Sequence, residues 1–199
     1  LTKENSLNKL CYAGPVLRTK TGLTQSRELY QVGIEYFGES DIAADIEVQT
    51  MLLNSLKLMN IGNITLDINH LDIYSNLILE LRLSEEDKVD VSEALIIKDK
   101  ATLRKILKRY DKSIASEQLV ELINLYGDKN VLDQIAKLIP ENKVIQSTIG
   151  KLKSLYALLV ETDVNISFDF SDIRGYQYHS GLIFSAYSPN YSTAIAQGG

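Results

Sequence analysis

Hydrophobic and polar positions change their period several times along this chain, and each change predicts a different element. Residues 10–16 and 28–37 are β-branched, aromatic and partly alternating, which predicts two antiparallel strands joined by a long glycine- and threonine-containing connection, with Gly38 ending the second. Ile42, Ile46, Met51, Leu52, Leu56 and Met59 then recur at near-helical spacing behind Ser40 and Asp41, which can cap the helix, and Gly62 closes it. Ile64, Leu66 and Ile68 alternate with Thr65, Asp67 and Asn69, the pattern of a half-buried strand, and a short helix over 73–81 follows. From 84 to 161 leucine, isoleucine, lysine and glutamate dominate and sheet alternation vanishes. Ser84 with Asp87 resembles a capping box at the start of this block. Pro140 suits the first turn of its last helix, which runs to about Val160. Strand character returns at 165–170, 182–187 and 192–196, with 174–181 as a connection.

Strands on both sides of a helical block favour the α+β class, an antiparallel sheet with helices packed on it, over a doubly wound parallel sheet. Residues 1–83 and 162–199 are then two parts of one core, and 84–161 is a helical insertion separate from the sheet. A chain of 199 residues has room for one domain or one and a half. Leu1 is not an initiating methionine, and the sequence stops at Gln197-Gly198-Gly199 directly after a predicted strand, so both ends are expected to be cut from a longer protein.

Composition narrows the function classes. Acidic residues outnumber basic ones by 26 to 21, a formal charge of −5, which argues against a broad face for gripping a polyphosphate backbone. Cys11 is the only cysteine, so neither an intrachain disulfide nor a cysteine zinc cluster can form. No run of about 18 apolar residues and no signal-peptide pattern is present, and a cytoplasmic location is expected. His70, at a strand end, has no second histidine or carboxylate at metal-ligand spacing, and no Walker or dinucleotide glycine loop occurs. Neither a metal nor a cofactor is expected.

Two constellations can carry chemistry. The denser one runs from Asp169 through Asp172, Arg174, Tyr178 and His179 to Gly181, joining a strand end to the next strand. It reads either as a polar β-turn or as a binding loop. The second is Arg18, Arg27, Gln31 and Glu35. Gln31, Gly33 and Glu35 alternate, so they share one face of a strand. If helices cover that face, burying Gln31 and Glu35 without partners costs a few kcal/mol, and a polar ligand or wet pocket is the economical account. If no layer covers it, the face is simply exposed.

At these residues a family becomes recognisable. Gly14-Pro-Val-Leu-Arg18, followed by Arg27-Glu-Leu-Tyr-Gln31-Val-Gly-Ile-Glu35-Tyr-Phe-Gly38, resembles motif 2 of the histidyl-tRNA synthetases. Arg174-Gly-Tyr-Gln-Tyr178-His-Ser-Gly181 resembles their histidine-specific signature, and Ala194-Ile-Ala-Gln-Gly198-Gly199 their glycine-rich strand entering motif 3. The signature, followed by Phe184-Ser-Ala-Tyr187, is most similar to the ATP phosphoribosyltransferase regulatory subunits, paralogues of the synthetase.

The resemblance implies a class II aminoacyl-tRNA synthetase-like antiparallel sheet flanked by helices, with a helical insertion. It implies that Gln31 and Glu35 contact the amino group of bound histidine, Arg174 its carboxylate, and Tyr178 with His179 its side-chain end. Arg18 and Arg27 become remnants of a phosphate-facing surface. No residue is then catalytic. Where a synthetase carries a glutamate that accepts from the adenine amino group, this chain has Lys20, which offers only donors. Gln177 and His179 replace the signature's usual aspartate and second tyrosine. The implied function is therefore regulatory, with no tRNA charging. The partner is a short-form ATP phosphoribosyltransferase catalytic subunit, histidine is the effector, and a homodimer sits inside a hexameric or larger hetero-oligomer. A histidyl-tRNA synthetase catalytic core is the enzymatic alternative, and a histidine sensor with another partner is a third reading.

Overall fold

The structure, a computed structural model, describes residues 7–17, 27–110, 114–162, 164–176 and 178–199. They fall into two compact units, Leu1–Asn54 and Ser55–Gly199.

In the first unit, β1 (Asn8–Leu17) and β2 (Glu28–Phe37) form an antiparallel ladder from Asn8 opposite Phe37 to Leu17 opposite Glu28. Gly33 pairs with Tyr12, whose ring lies 2.3 Å from where a Cβ at position 33 would sit, so the glycine is what admits the ring. Helix α1 (Ile42–Leu58) begins in this unit. Its entrance is served by Glu39, whose carboxylate accepts from the N–H groups of Ser40 and Asp41 at 2.9 and 3.1 Å. Lys9 Nζ donates to Glu47 of α1 at 2.6 Å and stands 4.7 Å from the Tyr36 ring centroid, fastening hairpin to helix. The helix stops before the predicted Gly62. Asn60 takes the left-handed conformation (φ 58°) and Ile61 N–H closes onto the Leu56 carbonyl at 3.0 Å. Asparagine serves here because its short polar side chain tolerates that region.

The second unit is built on a five-stranded sheet of β3 (Thr65–His70), β4 (Tyr126–Gly127), β5 (Asn165–Asp169), β6 (Leu182–Tyr187) and β7 (Ala196–Gly198), in the order β4-β5-β3-β6-β7. Neighbours are antiparallel except β3 and β5, which run parallel. A parallel pair needs a long crossover, and the helices between these two strands supply it. The predicted alternation in β3 holds: Leu66 and Ile68 are buried, and Asp67 faces the other way, in register with Ser167 of β5 and Ser185 of β6. One sheet face is therefore apolar, with Phe168 meeting Tyr156 of the last helix at 6.3 Å between ring centroids, and the other is polar. The last strand lies a few residues later than the predicted 192–196. Pairing with β6 sets that register, and the Phe184 ring lies over Gly198, 2.4 Å from where a Cβ would be.

The crossover comprises α2 (Leu71–Leu81), α3 (Glu85–Ile96), α4 (Lys100–Leu107), α5 (Ile114–Glu121), a 3-10 turn (Leu122–Asn124), α6 (Asn130–Leu138) and α7 (Lys143–Leu159). It is helical as expected, with one exception: β4 pairs Tyr126 with Asp169 and so occupies the edge that β5 would otherwise leave open. Ser84 caps α3 by accepting from Asp87 N–H at 3.1 Å. The reciprocal half of the expected capping box goes to Tyr110, whose hydroxyl accepts from Ser84 N–H at 3.1 Å and donates to the Asp87 carboxylate, which also binds Arg109. Pro140 falls before α7 rather than in its first turn. Asn142 is the cap, accepting from Ile145 N–H at 3.1 Å. His70 is structural, capping α2 through Nδ1, and burial lowers its pKa. Among the described residues no helix is long and apolar enough to cross a membrane.

Candidate functional site

The polar sheet face and the signature loop meet where β5 ends. Asp169 turns the chain by accepting from the N–H and hydroxyl of Ser171 at 3.0 and 2.6 Å. Asn69 of β3 donates to the Asp172 carbonyl at 2.8 Å, tying the loop to the sheet. Arg174 then folds back: its Nε donates to Asp172 Oδ1 at 2.7 Å, and one terminal nitrogen reaches Asp172 Oδ2 and the Tyr187 hydroxyl, the latter at 2.8 Å. This two-point carboxylate contact raises the guanidinium pKa. A cavity of about 290 Å³ opens beside it, lined by Asp67, Ile96, Asp169, Ser171, Asp172, Arg174 and Tyr187.

Asp67 is the odd member of this group. Its Oδ1 accepts from the Ser167 hydroxyl at 2.7 Å, yet burial pushes the carboxyl up to about 6. Asp169 and Asp172 add to the rise, while Ser167 and Lys98 oppose it. The sequence reading did not single out Asp67, Lys98 or Ser167. Strand alternation already placed Asp67 opposite the buried Leu66 and Ile68, so that signal was present, whereas its neighbours were set by sheet register.

Downstream of Arg174 the loop depends on Gly175, which has φ 86° and leaves only 2.8 Å between an added Cβ and the His179 ring. Its carbonyl accepts from Tyr178 and His179 N–H, each at 2.8 Å. Those two side chains meet edge to face at 4.9 Å, with Tyr178 strongly exposed and His179 half-buried. Tyr176 packs edge to face on buried Tyr74 of α2 at 4.7 Å, so the loop is anchored from beneath by a residue absent from any motif.

In the first unit Gln31 and Glu35 are both exposed, so the burial cost that would have called for a ligand does not arise there. Gln31 donates to the Tyr12 hydroxyl at 2.6 Å, which gives that face an aromatic member the sequence reading missed. Arg27 is exposed and immediately precedes β2. Arg18, Lys20 and Gln177 lie outside the described residues.

Comparison with known proteins places this architecture. The chain is 37% identical over its whole length to the ATP phosphoribosyltransferase regulatory subunit of Nitrosospira multiformis, covering 52% of that protein. It is 35% identical to the one from Methylobacillus flagellatus, covering 51%. It thus spans about half the length of the curated relatives it matches. Among solved structures it resembles an ATP phosphoribosyltransferase regulatory subunit/histidyl-tRNA synthetase from Bacillus halodurans, with TM-score 0.82 at 21% identity, covering 98% of this chain and 51% of that one. It also resembles a chain of the ATP phosphoribosyl transferase (HisG:HisZ) complex from Thermotoga maritima, with TM-score 0.76 at 22% identity, covering 98% and 68%. These structures carry the class II synthetase-like fold, as the sequence motifs implied. The histidyl-tRNA synthetase family model matches residues 1–199, and the chain belongs to that family.

Proposed function

We propose that this chain is part of a non-catalytic regulatory subunit of ATP phosphoribosyltransferase, binding histidine and supporting the activity and feedback inhibition of a short catalytic subunit. The observation that carries the reading is the identity of 35–37%, along the whole chain, to proteins of that name. The site supports it. In adenylate formation an arginine has to meet developing phosphate charge, whereas Arg174 commits its Nε and one terminal nitrogen to Asp172 and Tyr187, which leaves its other terminal nitrogen for a single carboxylate. The carboxylates around the cavity disfavour a polyphosphate more than a zwitterion whose ammonium offsets its single carboxylate, and Lys20 cannot accept from an adenine amino group.

The unused N–H groups of Arg174 are assigned to the histidine carboxylate and Tyr178 with His179 to the side-chain end. Gln31 and Glu35 are assigned to the ammonium group on the strength of the motif 2 resemblance. The two assignments are separable: Glu35→Gln is expected to weaken histidine binding by about 1–3 kcal/mol in calorimetry, and unchanged affinity removes Glu35 from the ligand. Effector binding regulates the complex only if histidine binds its states with different affinity.

The test uses the full-length protein. Stimulation of a short-form ATP phosphoribosyltransferase, with inhibition by histidine, is the expected result. Histidine-dependent exchange of pyrophosphate into ATP is the signature of a synthetase and sinks the regulatory reading.

A further inference from the structure

We propose that Lys98, on the turn between α3 and α4, is a positioning residue of the Arg174 cavity, through which the helical insertion sets the charge borne by the cavity wall.

The backbone is the first indication. Helix α3 ends with Lys98 in the left-handed conformation, φ 58°, where its N–H closes onto the Leu95 carbonyl at 3.0 Å and Asp99 N–H onto that of Ala94 at 2.8 Å. Glycine or asparagine ordinarily fills this place, because a larger side chain crowds the backbone there. A lysine there is kept against local preference, and its side chain shows why. Nζ lies 2.8 Å from Asp169 Oδ2 and 4.1 Å from the centroid of the Tyr126 ring. Tyr126 and Asp169 are register partners across β4 and β5, so one ammonium group grips both members of a sheet pair, by charge on one side and by the ring face on the other. The same turn delivers Ile96 to the cavity wall.

The charges close around this contact. Asp172 is matched by Arg174, and Asp169 has one oxygen on Ser171 and the other on Lys98. Asp67, which has only the Ser167 hydroxyl among the hydrogen bonds above, shares the cavity with both carboxylates, with Arg174 and with the Tyr187 hydroxyl. Without Lys98 the Asp169 carboxylate loses its ammonium partner and faces Asp67 across the same wall, and like charges at close range disfavour ionisation of both. The insertion thereby decides the pH range over which the cavity is anionic. That in turn biases whatever binds beside Arg174, and for histidine this consequence rests on the function proposed above.

The experiment follows the Asp67 carboxyl by carbon-13 NMR titration in the full-length protein without ligand. The wild type is compared with Lys98→Met, Lys98→Arg and the double variant Lys98→Met/Asp169→Asn, with histidine calorimetry at several pH values in parallel. Lys98→Met is expected to raise the Asp67 midpoint. Lys98→Arg, which keeps the charge, and the double variant, which removes both partners, are expected to return it toward the wild type. A midpoint unmoved in folded Lys98→Met overturns the proposal. If that variant does not fold, a double variant with the midpoint still raised does so as well, since no Asp169 charge remains to act. Histidine affinity near pH 7 is expected to fall roughly three- to tenfold in Lys98→Met, without contact between ligand and lysine. A shifted midpoint with no histidine binding in any variant leaves the positioning role standing and removes the histidine reading. Intact histidine binding with an unmoved midpoint does the reverse.

Discussion

Phe168→Ala is expected to destabilise the protein by about 3–5 kcal/mol, the largest effect of any single substitution considered. Phe168 is fully buried on β5, with rings of Tyr156 and Phe170 at 6.3 and 6.4 Å. Removing it deletes the transfer energy of a large side chain and leaves a cavity that a sheet strand, pinned on both sides by β3 and β4, cannot collapse to fill. The loss is also expected to reach the polar face, because Ser167 and Asp169 flank it on the same strand. Urea unfolding of the variant will show the midpoint displacement. A cost below about 1 kcal/mol, outside the range for a buried aromatic, means that the site repacks.

Asp67→Asn is expected to act in the opposite direction, stabilising the protein by up to about 3 kcal/mol at neutral pH. The folded protein holds this carboxyl at about 6, above its ordinary 3.8, so folding favours the protonated form. That contribution is fully present below the ordinary value and is lost as pH rises through about 6, where the wild type must carry a charge in a desolvated place. Asparagine bears no charge at any of these pH values and its amide oxygen can still accept the Ser167 hydroxyl. Unfolding free energies of the two proteins, measured from pH 4 to 7.5, should diverge across the interval from about 4 to about 6 and run parallel above it. A constant gap means that Asp67 titrates normally in the folded state.

Both predictions concern residues outside the recognisable motifs, and this marks what could be read in advance. The hairpin strands, the alternation of β3 and the position of β6 follow from local apolar periodicity, which the backbone obeys wherever one face is buried. The shifts are equally physical. Asn60 ended α1 ahead of Gly62 because a left-handed asparagine closes the helix as well. The ladder with β6 runs from Ala196 to Gly198, with Ile195 N–H already on the Ala186 carbonyl, so the strand sits at the far end of the predicted 192–196 and beyond it. Tyr126–Gly127 became a strand only because β5 offers an open edge.

For the candidate site, Arg174, Tyr178 and His179 were legible because they lie within one short signature. Gln31 and Glu35 were legible as a shared strand face. That face is exposed in its own unit, which alternation by itself could not decide.

What the sequence alone determined is the family, the α+β class and the loop that carries the polar groups, since these rest on local pattern and on motif residues a few positions apart. The tertiary structure decided which charges meet: Asp67, Asp169 and Arg174 share one cavity wall through strand pairing, and a helix-end turn brings Lys98 onto Asp169. Electrostatic effects depend on distance and desolvation, and neither is written in the order of residues along a chain.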